Sequence, residues 1–165
     1  MNAASNISIG LGIVGLTMIT GLFWGWTFSA VPGLRSVDDR TYVAAMQSIN
    51  RAILNPMFLV AFTGTVIVLA AAAFTTFRAG DTGRAWWITT AAVTYTIGVV
   101  GVTVAGNVPL NDALDAFVPG ADDAAFAAAR SAYEGPWNRL HAIRSGLGVL
   151  AVVFAVTAAL TPTQD

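Results

Sequence analysis

The residues best suited to chemistry lie together in Tyr133-Glu134-Gly135-Pro136-Trp137-Asn138-Arg139-Leu140-His141-Ala142-Ile143-Arg144. This stretch contains the only histidine, the only glutamate and two of the eight basic residues of the chain. An imidazole exchanges protons near neutral pH and can act as a general base. A guanidinium keeps its charge and can steady an oxyanion. Pro136 suits the first turn of a helix. A helix starting there places Trp137, His141 and Arg144 on one face, with Asn138 beside His141. His141 as base with Arg144 and Arg51 as anion stabilisers is the catalytic set this reading nominates. Asn50, Asn111, Trp137, Asn138, Tyr133 and Glu134 are the substrate-binding set, as amide donors, aromatic surfaces and a carboxylate able to orient the imidazole.

Those residues need elements to hold them, and composition says which kind. Of 165 residues, 56% are hydrophobic and 10% charged, against about 25% charged in an ordinary soluble domain. The mean hydropathy is +0.68. Apolar runs at about 9–31, 57–77, 86–105 and 138–160 are long enough to span a bilayer. The expected class is all-α: a single integral membrane domain over 1–165, a four-helix transmembrane bundle with short amphipathic helices capping one membrane face. The net charge of −1 argues against a nucleic-acid partner. Without cysteine or lysine there is no disulfide, thiolate ligand or Schiff base.

Between the runs lie the polar segments. Pro32-Gly33 closes the first span, within which Gly21 and Gly25 form a GxxxG pair suited to close helix packing; a homo-oligomer is left open. Residues 36–55 form an amphipathic helix capped by Ser36 or Asp38, with Tyr42, Met46, Ile49 and Ile53 as its apolar stripe. Gly106 stops the third span, and Pro109 opens a short helix. After a break at 118–123, Ala124–Tyr133 is a short helix of its own, and the tail 161–165 is loose. Threonines along the third span can bond back to helix carbonyls. Asn55, Asn107 and Arg139 read as caps or paired groups. Segments 32–56 and 106–137 fall on one side of the membrane; Arg78 and Arg84 favour a cytoplasmic turn, with both termini inside.

Phe28-Ser-Ala-Val-Pro-Gly-Leu34, Ala45-Met-Gln-Ser-Ile-Asn-Arg-Ala-Ile-Leu-Asn-Pro56, Asn107-Val-Pro-Leu-Asn111 and Tyr133–Arg144 together resemble the successive motifs of the DUF1772, or anthrone oxygenase-like, family. The resemblance implies a small four-span membrane protein, multi-pass in a bacterial cytoplasmic membrane. It also implies an oxygenase that converts anthrones to anthraquinones in polyketide biosynthesis, with a hydrophobic small-molecule substrate taken up in contact with the lipid bilayer.

No cofactor is expected. A metal site would have to be assembled from His141, Glu134 and Asp112 or Asp115, with no ligand spacing to support it, and no Gly-rich nucleotide loop or haem motif is present. An anthrone instead has an acidic methylene beside an aromatic ketone, and its anion can react with O2 directly. A membrane cyclase or isomerase using the same acid–base set, and a non-catalytic membrane binding protein, are the two other readings the residues allow.

Overall fold

The computed structural model describes residues 3–118 and 122–163. Five helices are present, with no strand among the described residues. They are α1 (Ala3–Arg35), α2 (Asp39–Ala52), α3 (Pro56–Arg78), α4 (Thr82–Asp115) and α5 (Asp123–Leu160). All but α2 are long and apolar enough to cross a membrane. The four long helices form a ring: α1 packs on α3, α3 on α4, α4 on α5, and α5 closes back on α1.

Their outer faces are apolar, as lipid requires. Ile7, Leu11, Val14 and Met18 run down the exposed side of α1, and Val60, Ile67 and Phe74 down that of α3. The interior is built from Leu16, Leu69, Ile88, Tyr95 and Val99, with Ala151, Ala155 and Ala158 keeping α5 close to its neighbours. Contacts between helices that offer little hydrophobic gain over lipid depend on small residues. Gly12 lies against Leu69, Gly15 against Thr65 and Gly98 against Leu147. The GxxxG pair is not used this way: a Cβ on Gly21 or Gly25 would meet open space.

At Gly98 the fit leaves no room for a methyl group. A Cβ there would lie 2.7 Å from Leu147 Cδ1 and 3.0 Å from Leu147 Cβ, which is anchored to the α5 backbone. Gly98→Ala is therefore expected to destabilise the bundle by about 1–3 kcal/mol, the usual cost of overpacking. Thermal unfolding in detergent checks this, and an unchanged midpoint would contradict it.

Three helices run further than their prolines suggest. Pro32 lies inside α1, Pro109 inside α4 and Pro136 inside α5, so the short helices expected after Gly106 and before Tyr133 are extensions of the spans. A proline ring crowds the carbonyl four residues back and donates no hydrogen bond. In α1 and α4 the chain answers with wide π-helical turns, Trp26–Ala30 and Thr103–Asn107. In each, the residue just before the proline donates five positions back: Val31 N–H to the Trp26 carbonyl, and Val108 N–H to the Thr103 carbonyl. In α5, Gly135 and Pro136 lie on the exposed side. Packing of Tyr133, Trp137 and His141 on the buried side carries the helix through a break that costs about 3 kcal/mol.

The caps follow local rules. Asp38 starts α2: Oδ1 accepts from the Thr41 N–H at 3.0 Å and Oδ2 from its hydroxyl at 2.6 Å. These bonds, the hydroxyl's first, hold its carboxyl below the usual range. Asn55 caps α3 through the Phe58 N–H, and Asp122 caps α5 through the Ala125 N–H. Residues 119–121, the centre of the expected break, and 164–165, the end of the expected loose tail, lie outside the described residues.

The two ends of the bundle differ. At one, α2 closes over the mouth through a second core of Tyr42, Val43, Met46, Leu114, Phe126, Tyr133 and Trp137. Burial and the nearby Glu134 carboxylate push the Tyr42 phenol upward, so it stays neutral. Arg130 fastens this cap. It meets Glu134 at 2.7 Å and Asp39 at 3.1 Å, donates to the Val37 carbonyl at 2.8 Å, and covers the Tyr42 ring. At the other end Arg84 is buried, donating to the Ala158 carbonyl and the Asn6 amide oxygen beside Asp81. It ties α1, α4 and α5 together, so its charge is engaged within this end of the bundle and not exposed in the turn.

Candidate active site

A cavity of about 180 Å³ lies under the second half of α2, between α1, α3, α4 and α5. Ile49 and Ile53 form its roof, Phe23, Trp26 and Phe58 its apolar walls, and Leu54 lies exposed at its mouth. The expected apolar stripe of α2 is thus divided: Tyr42 and Met46 enter the capping core, whereas Ile49 and Ile53 face the cavity. Into it come Asn50, Asn111, Trp137, His141 and Arg144.

At the deep end His141 and Arg144 form a closed unit. The Phe23 carbonyl can only accept, so His141 Nε2, 3.1 Å away, must be the protonated nitrogen. Arg144 can only donate, and its Nε and one terminal nitrogen lie 3.3 and 3.2 Å from His141 Nδ1. Nδ1 therefore holds a lone pair, and the ring is the neutral Nε2–H tautomer. With Arg144 in this place neither ring nitrogen is open to the cavity.

Two threonines complete the unit, and each uses its hydroxyl twice. Thr27 donates back to the Phe23 carbonyl at 3.0 Å and offers its oxygen to His141 Nε2 at 3.1 Å. Thr103 donates back to the Val99 carbonyl at 2.7 Å and accepts from Arg144 at 3.0 Å. Both belong to the π-helical turns that precede Pro32 and Pro109. Neither was nominated from sequence, where a threonine that bonds back to its own helix looks fully accounted for. A hydroxyl has one proton and two lone pairs, so back-bonding leaves an acceptor to spare.

The electrostatics of Arg144 are unusual. It is 8% exposed, yet its polar partners are an imidazole and a hydroxyl, and its guanidinium otherwise lies over Phe23 at 4.3 Å and Trp137 at 5.3 Å. Among the described residues no carboxylate pairs with it. A buried cation without a counter-charge is costly, and membrane proteins keep such groups facing interior cavities.

Nearer the mouth a second polar group is organised by α5. Tyr133, Trp137 and His141 recur every fourth residue and stack, with ring centroids 6.1 and 5.0 Å apart. The Trp137 Nε1–H donates to Asn111 Oδ1 at 2.9 Å, the Tyr133 hydroxyl donates to the same oxygen at 2.8 Å, and Asn50 Nδ2 donates to the Tyr133 hydroxyl at 3.1 Å.

The remaining nominated residues lie elsewhere. Arg51 is more than half exposed and pairs with Asp115 at 3.0 Å, outside the cavity lining, so it does not join Arg144. Glu134 is held by Arg130 in the cap and does not orient the imidazole. Asn138 lies in a separate crevice beside Trp26 and Tyr42. Tyr133 reaches the cavity region through its hydroxyl network while its ring belongs to the capping core. Of the residues read as caps, Asn107 is buried, its amide donating to the Trp137 carbonyl at 3.3 Å. His141, Glu134 and the aspartates do not converge: among the described residues no three of His, Cys, Asp or Glu come together as a metal site would need.

Neither the curated proteins nor the solved structures contain a match to this chain. A family model described as anthrone oxygenase matches residues 55–154, which carry α3, α4 and the part of α5 that bears His141 and Arg144. The chain therefore belongs to the anthrone oxygenase family, whose name points to a membrane-associated, oxygenase-like enzyme.

Proposed function

We propose that the chain is a membrane-embedded oxygenase for a hydrophobic, planar aromatic ketone of the anthrone type, working by proton abstraction and direct reaction with O2. The observation that carries this reading is Arg144: buried, facing a largely apolar cavity, and lacking a carboxylate partner among the described residues. The counter-charge it needs would come from the ligand. A neutral ketone that becomes an oxyanion on losing a proton supplies that charge at the moment of reaction, when a preorganised donor is most effective.

The steps balance without a further redox group. As the ketone oxygen binds, Arg144 swings from His141 Nδ1 onto that oxygen and exposes the lone pair. Nδ1 then takes a proton from the methylene, leaving an electron-rich aromatic oxyanion held by Arg144. The anion gives one electron to O2, and the resulting pair joins at the former methylene carbon as a peroxide. His141 returns its proton to the peroxide, and loss of water with the second hydrogen of that carbon yields the quinone. One oxygen atom of O2 enters the product and the other leaves as water.

The test is turnover of anthrone by purified protein, following O2 uptake and quinone absorbance together. One O2 per quinone, with one labelled oxygen retained from labelled O2, is the expected result. Conversion without O2 uptake would replace this reading with an isomerase or cyclase, and binding without conversion would leave a binding protein.

A further inference from the structure

The orientation of the Asn111 amide is set by its neighbours. An indole N–H can only donate, so the atom facing Trp137 Nε1 at 2.9 Å is the Asn111 carbonyl oxygen. The Tyr133 hydroxyl donates to that same oxygen because it already accepts from Asn50. Two groups are left over. Among the described residues the Asn111 Nδ2 has no hydrogen-bond partner, and neither has Asn50 Oδ1. Both residues line the cavity, and both are bonded to one Tyr133 oxygen, so the two amides flank the same hydroxyl.

We propose that Asn111 and Asn50 form a neutral polar subsite that selects ligands carrying a hydroxyl group in addition to the ketone held by Arg144. A hydroxyl is the simplest group that accepts from an amide N–H and donates to an amide oxygen at once. Its place relative to the ketone follows from the α5 ladder. Asn111 is bonded beside Tyr133 and Trp137, while Arg144 sits on His141. Asn111 is bonded to the Trp137 indole, and the Arg144 guanidinium lies 5.3 Å from the centroid of that same ring, so the subsite and the cation adjoin one aromatic surface of the cavity. Arg144 thus holds the ketone of a flat ligand, and the asparagine pair reads a second position of the same molecule. Tyr133 is a positioning residue, acting only through Asn50 and Asn111.

This inference rests on the cavity being a ligand site as proposed above, and its test separates the two ideas. Anthrone and an analogue with a hydroxyl at the outer-ring carbon farthest from the ketone are compared, both by turnover and by equilibrium dialysis against protein in detergent. Wild type is expected to prefer the hydroxylated ligand by about 10- to 100-fold, as one or two well-made neutral hydrogen bonds allow. Asn111→Asp keeps an acceptor for Tyr133 and Trp137 but turns the cavity-facing donor into an acceptor. It should bring the preference to within about threefold, and Asn50→Leu should lower it as well. Arg144→Met should weaken both ligands together and leave their ratio intact. Equal wild-type affinity for the two ligands, or an unchanged ratio in Asn111→Asp, would overturn the subsite. Intact binding ratios without turnover would overturn the oxidation reading alone.

Discussion

Arg144→Met is expected to lower kcat for anthrone oxidation by about 10²–10³, the range seen when one preorganised oxyanion donor is removed, while leaving the protein at least as stable as wild type. The two halves of this prediction have the same cause. The guanidinium is nearly fully buried with only neutral partners, His141 Nδ1 and the Thr103 hydroxyl. Taking a cation out of water without a counter-charge costs free energy, and replacing it by an apolar chain of similar length relieves that cost. If Arg144 were a structural tie, its loss would destabilise the bundle, so opposite movements of activity and unfolding temperature distinguish the two roles. Arg144→Lys retains the charge but loses the planar fork that reaches His141 and Thr103 together, and its rate should fall between wild type and Arg144→Met. A variant that unfolds at lower temperature yet turns over normally would reverse the assignment.

His141→Gln is the second large effect. Glutamine can accept from Arg144 through its oxygen and donate to the Phe23 carbonyl through its nitrogen, so both bonds of the imidazole have a replacement. It cannot hold a proton near neutral pH. Turnover is expected to drop by about 10²–10⁴, the usual contribution of a positioned base, with anthrone binding and thermal stability close to wild type. Turnover across pH, with dialysis as the binding check, measures this directly. Wild-type turnover in His141→Gln would remove the base and leave the His141–Arg144 pair as structure.

These expectations depend on a detail no spacing rule could supply. The order Trp137, His141, Arg144 is enough to place the three on one helical face, and they do share one. The sequence is silent on which polar atoms find partners, because the Phe23 carbonyl lies 118 positions from His141 and the Thr103 hydroxyl 41 positions from Arg144. Arg51 makes the same point in reverse. Its charge and its place on α2 suit an anion site, yet Asp115, at the end of α4, is nearer and takes it. A permanent cation pairs with whichever carboxylate the packing brings close, and that is a property of the assembled bundle.

The sequence by itself determined the all-α class, the four helices long and apolar enough to cross a membrane, and the amphipathic helix that roofs the mouth. These follow from local hydrophobic runs and periodicity, which the chain carries at short range. Helix ends were less legible where prolines occur. Pro32, Pro109 and Pro136 locally favour breaks, and only packing, with π-helical turns before the first two, keeps α1, α4 and α5 continuous. Those turns in turn bring Thr27 onto His141 and Thr103 onto Arg144. Tertiary structure alone decided that His141 Nδ1 is covered by Arg144, that Arg144 has no carboxylate partner among the described residues, and that Asn111 turns its oxygen to Trp137 and Tyr133. Each is a matter of which polar atom finds a partner across the bundle, and that is settled when helices distant in sequence come to share one interior.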